Sequence, residues 1–111
     1  MPGKGWGMKG GFLVNSKTIM AILQRDRKAS APKVQEVLTK YGDNIKMRLG
    51  IHDTDENHSS DEGLIILQLC GSDEETGRLE MELNSIEGVK AKKIILSFSD
   101  EVEQFIQNIE V

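Results

Sequence analysis

Gly63-Leu64-Ile65-Ile66-Leu67-Gln68-Leu69-Cys70-Gly71 is the stretch whose reading decides the fold. Its apolar residues run almost unbroken between two glycines, and a run this short reads as a β-strand covered on both faces rather than as a helix. Such a strand belongs in mid-sheet. Thr18-Ile19-Met20-Ala21-Ile22-Leu23 has the same character, apolar on both alternating sets and free of Gly and Pro, and predicts a second central strand.

Between these two runs lie a helix and a strand of another kind. Ser30 and Pro32 supply a capping residue and a proline tolerated in a first turn. Val34, Val37, Leu38 and Tyr41 then fall at i, i+3, i+4 and i+7, and Gly42 follows as the stop. Ile45, Met47, Leu49 and Ile51 alternate with Lys46, Arg48 and Gly50, the pattern of an edge strand with one face in water. His52 to Glu62 is polar throughout and predicts a long hairpin loop into the central run.

Beyond Gly71, Ser72 and Glu75 form a Ser-x-x-Glu capping box. Thr76, Leu79, Leu83 and Ile86 follow at helical spacing, which predicts a second helix running to about Glu87. After Gly88, Val89 to Leu96 sets Lys90, Lys92 and Lys93 among apolar residues, again an edge pattern. Val102, Phe105, Ile106 and Ile109 make the stripe of a short C-terminal helix. The expected organisation is a Gly-rich tail over 1–16, which holds five of the eleven glycines, a domain over 17–98, and the terminal helix over 99–111.

The order β-α-β-β-α-β is that of two split β-α-β units closing into an α+β, ferredoxin-like sandwich. Strands one and three are central, two and four outer, in keeping with the two doubly apolar and the two lysine-bearing runs. Both helices cover one face of such a sheet. Leaving the other apolar set in water would expose a patch of several hundred Å2, so either the terminal helix or a second copy of the sheet is expected over it. A homo-oligomer, dimer or tetramer, is the expected solution.

One cysteine excludes an intrachain disulfide, and no apolar run is long enough for a membrane span or an export core. Cytoplasmic location is the expectation. The net charge of −4 is unevenly divided: ten basic residues against three acids up to Ile51, four against fifteen from His52 onward. The five aromatic residues are not interleaved with the basic ones as stacking platforms would be, so nucleic-acid binding is not expected.

With the central strands expected to run parallel, Arg25, Asp26, Arg27, Lys28 and Ser30 after the first would neighbour Gly71 and Ser72 after the third. Two helix N-termini converging there make a candidate pocket for a small anionic or amino-acid-like ligand. The competing reading is a solvated surface network, in which Asp73, Glu74 and Glu75 satisfy the helix end and pair with the basic loop. His52, His58 and Cys70 are the residue types able to ligate a transition metal, but their spacing matches no compact zinc pattern. The acidic loop lacks the ligand register of a calcium site. No metal, cofactor or catalytic residue is expected, since no nucleophile has a discernible base partner.

Lys17 to Leu96, about three quarters of the chain, resembles the iron-only hydrogenase system regulators, a branch of the ACT-like ferredoxin folds. The residues that carry the resemblance are Thr18 to Leu23 with the Arg25-Asp26-Arg27 exit, Ile45-Lys46-Met47-Arg48-Leu49-Gly50, Leu64 to Leu69, and Ile86-Glu87-Gly88-Val89-Lys90. The resemblance implies a stand-alone, oligomeric regulatory or ligand-sensing domain without catalytic chemistry. It also implies ligand binding by the loop after the first strand, here Gln24 to Ser30, where the Asp-x-Pro-Gly usual in ACT domains is replaced by Arg25-Asp26-Arg27-Lys28-Ala29-Ser30.

Overall fold

The computed structural model describes residues 16–52 and 61–98. The expected tail, most of the hairpin loop with His58, and the expected terminal helix lie outside the described residues. The chain divides into a unit of Thr18–Ile94 and a second of Met1–Lys17 with Ile95–Val111. In order come β1 (Lys17–Gln24), α1 (Arg27–Lys40), a 3-10 turn (Gly42–Asn44), β2 (Ile45–His52), β3 (Gly63–Leu69), α2 (Asp73–Asn84) and β4 (Val89–Leu96). They form one sheet of order β2-β3-β1-β4, so β1 and β3 are central as the doubly apolar runs predict. The fold is the ferredoxin-like α+β sandwich.

The direction of the central strands corrects the sequence reading. β1 and β3 are antiparallel, Thr18 facing Leu69 and Gln24 facing Gly63, and β2 is antiparallel to β3 as well. The crossover through α1 leaves β1 and β2 parallel with one strand's width between them, and β3 fills that gap as the return arm of a hairpin from β2. The exits of β1 and β3 therefore lie at opposite ends of the sheet.

The core lies between the sheet and the helices. Met20 and Ile22 of β1 and Ile65, Leu67 and Leu69 of β3 meet Val34 and Leu38 of α1 and Leu79 and Leu83 of α2. Val34, Leu38 and Tyr41 of the predicted α1 stripe are buried and Val37 is partly so, as 3.6-residue periodicity requires.

Two helix ends differ from expectation. α1 begins at Arg27, with Asp26 rather than Ser30 as the cap, accepting the Ala29 N–H at 3.3 Å. Pro32 accordingly lies inside the helix, where it cannot donate to the Lys28 carbonyl. α2 stops at Asn84, short of Glu87, because the Asn84 amide turns to bracket Ala91 of β4, donating to its carbonyl at 2.9 Å and accepting its N–H at 2.8 Å.

β2 carries the most consequential difference. A register shift between Ile45 and Met47 sets Ile45 opposite Leu69 on the helix side, but Met47, Leu49 and Ile51 opposite Gln68, Ile66 and Leu64. The apolar face of β2 is thus turned away from the helices, and those three residues are 44–51% exposed. With Ile19, Ala21, Leu23, Leu64 and Ile66 of the central strands they form a continuous apolar surface on the sheet's open side.

Candidate functional site

At the end of the sheet where β1 leaves, the predicted loop residues separate by role. Asp26 caps α1. Ser30 is buried; its hydroxyl donates to the Asp26 carbonyl at 2.9 Å and accepts from the Gln24 side chain at 2.9 Å. These bonds close the turn and satisfy a buried glutamine, 3% exposed. The Arg25 N–H donates to the Gly88 carbonyl at 2.7 Å, and its side chain lines a depression beside Glu62 and Lys90. Arg27 and Lys28, of the five, turn to a well-formed groove.

That groove lies between α1 and the outer strand β2 and encloses about 400 Å3. Arg27, Lys28, Ala31 and Gln35 form the α1 wall, Arg48 and Gly50 the β2 wall, with Gly63 and Ile65 between. Among the described residues that line it, three side chains are cationic and none is acidic. Lys28 belongs to the basic loop expected at a site, whereas nothing in the sequence marks Arg48 or Gln35 as site residues. The available signal was Gly50, a glycine in the interior of an alternating strand, which often marks a close approach of ligand or backbone.

Gly71 and Ser72 sit at the other end of β3, whose seven residues span about 20 Å. There the predicted capping box is present, the Ser72 N–H donating to Glu75 at 3.0 Å and the Glu75 N–H to the Ser72 hydroxyl at 3.1 Å. Asn44 donates to Glu75 at 3.2 Å and to the Cys70 carbonyl at 3.0 Å. The bond from the Ser72 backbone, then that from Asn44, holds the Glu75 carboxyl below its ordinary pKa. Gly71 has φ +104°, and a Cβ there would run into the Asn44 amide. We therefore expect Gly71→Ala to cost about 1–3 kcal/mol, measurable by urea unfolding. The structure does not bring Gly71 and Ser72 to Arg25–Ser30, so the predicted two-helix pocket is replaced by the groove at the α1–β2 end.

A second polar cluster joins the far end of α1 to α2. The Tyr41 hydroxyl donates to Glu82 at 2.6 Å and the Lys40 ammonium at 3.0 Å. The tyrosine bond first, then the lysine, lowers the Glu82 pKa; the same bond raises that of Tyr41. A lowered carboxyl pKa stabilises the fold above the unfolded-state value near 4.5, and this contribution disappears as pH falls through the folded-state value. Tyr41→Phe should lower Tm by about 5 °C at pH 7, with the gap to the parent protein narrowing below pH 4. Thermal melts at several pH values check this.

Among the described residues there is no grouping of three or more His, Cys, Asp or Glu able to hold a metal ion, and no helix long and apolar enough to cross a membrane. A family model of iron-only hydrogenase system regulators, TM1266-like, matches residues 17–93. No curated protein matches. Among solved structures, the uncharacterized protein TM1266 from Thermotoga maritima is 26% identical, with a TM-score of 0.64 over 75% of this chain and 100% of that one. CPII, a nitrogen regulatory PII-like protein from Thiomonas intermedia K12 bound to ADP, AMP and bicarbonate, is 15% identical, with a TM-score of 0.48 over 75% and 92% of the two chains. A formyltetrahydrofolate deformylase from Pseudomonas putida KT2440 is 10% identical, with a TM-score of 0.47 over 70% of this chain and 28% of that one.

Proposed function

We propose that this chain, which belongs to the TM1266-like family of iron-only hydrogenase system regulators, is a non-catalytic regulatory domain that works in the cytoplasm as a homo-oligomer and responds to a small ligand. The observation that carries this reading is the open apolar face of the sheet. Leu49 is 51% exposed, Met47 46% and Leu23 44%, and Ile66 lies between them on the central strand β3. A four-stranded sheet of this length has a footprint of roughly 500 Å2, before the corrugation of its side chains is counted. That is the order of the ~800 Å2 each partner contributes to a stable interface. A second copy offers a matching apolar surface across β1, β2 and β3, with Lys90 and Lys92 of β4 at its margin, whereas water leaves these side chains at a cost of about 25 cal/mol per Å2.

Light scattering tests the assembly: a mass at a multiple of 12.4 kDa is expected, and a strict monomer at high micromolar concentration overturns it. A thermal-shift panel of amino acids, nucleotides and divalent metals tests the sensing role. A stabilising ligand supports it. A silent panel leaves a protein-assembly module with no small ligand.

A further inference from the structure

We infer that the groove between α1 and β2 is a binding site for a small organic anion carrying two or more negative charges and a body of about nucleoside-monophosphate size. This rests on the ligand-sensing reading above and names its site and ligand class.

The first observation is Gly50. Glycine in a strand interior is destabilising, since it gives up more backbone entropy than other residues and packs nothing against its neighbours. It is usually required by a left-handed conformation or by a neighbour too close for a Cβ. Neither holds here: its backbone is outside the positive-φ region, and a Cβ built on it would meet no atom within 4 Å. The missing side chain instead opens the β2 wall of the groove. Every other side chain on that strand would fill this space.

The second observation is charge. The protein has 18 acidic and 14 basic residues, yet among the described residues that line this groove are Arg27, Lys28 and Arg48 and no carboxylate. Lys28 and Arg48 approach from opposite walls, one on the helix and one on the strand, which suits a ligand with two separated anionic groups. An arginine guanidinium grips a phosphate or carboxylate through two parallel N–H bonds, and the lysine ammonium adds a point charge. The third observation is size. At about 400 Å3 the space far exceeds an inorganic ion and falls in the range of small-molecule sites, and Ala31 and Ile65 give it apolar lining for an organic body.

The test is titration calorimetry with three probes: uridine monophosphate, citrate and inorganic phosphate. It is run on the parent protein, Gly50→Leu, Arg48→Gln and, as a control remote from the groove, Lys40→Gln. Binding of uridine monophosphate or citrate, weakened at least about tenfold by Gly50→Leu and by Arg48→Gln but unchanged by Lys40→Gln, is expected; which of the two binds distinguishes phosphate esters from polycarboxylates. Gly50→Leu should melt no lower than the parent, so loss of binding there is not loss of fold. Equal binding of inorganic phosphate overturns the inference, because the site then reads only charge. Binding that survives Gly50→Leu overturns the groove assignment and leaves the sensing role standing elsewhere. Silence of both organic probes overturns the inference, and a silent thermal-shift panel beside it removes the sensing role as well.

Discussion

Leu67→Ala should destabilise the domain by about 2–5 kcal/mol, the largest effect expected of any single truncation here. Leu67 is fully buried at the centre of β3, itself between β2 and β1, and packs in the cluster that contains Met20, Leu38 and Leu79. Removing three carbons leaves a cavity walled by two strands and two helices, which hold one another in place and cannot collapse into it. Urea unfolding of parent and variant gives the number. Ile66→Ala, one residue away, supplies the contrast. Its side chain points to the open face, so in a monomeric reference state it should cost well under half as much. Equal losses at the two positions would mean that the open face is as well packed as the core.

Ile66→Lys should dissociate the oligomer, weakening self-association by about 100-fold or more. Ile66 sits opposite Leu49 of β2 and Ala21 of β1, in the middle of the apolar surface. A copy stacked there would bury the new ammonium with no carboxylate opposite, a penalty of several kcal/mol. An isologous contact applies it twice, once from each copy. In a monomer the same lysine reaches water and does little harm, so the variant should remain folded by circular dichroism while its mass by light scattering falls to 12.4 kDa. An unchanged oligomer would place the interface elsewhere, along the outer edge of β2 for example.

The groove and the open face were legible to different degrees, for reasons visible in single residues. Ser72 and Glu75 announced the start of α2, because a capping box is a contract between residues three apart. Ser30 reads as the cap of α1 in the sequence although Asp26 is the one used, because both residue types cap helices and the choice between them depends on where the chain leaves β1. Arg48 carried no signal of its own: it becomes a wall of the groove only because α1 packs beside β2 and leaves the Gly50 position open.

The sequence by itself determined the four strands and two helices of the described residues, their order, and which strands lie inside the sheet and which at its rim. These follow from side-chain period and from apolar runs, properties of residues a few positions apart. Only the tertiary structure decided that β3 runs against β1, that Met47, Leu49 and Ile51 face away from the helices, and that the cations of α1 and β2 share one cavity. Each of these depends on a non-local event: the hairpin filling the gap left by the crossover, the register shift after Ile45, and the docking of a helix across a strand distant in sequence. Alternation shows which residues share a face of a strand. Which of the two faces is buried is settled only when the layers pack.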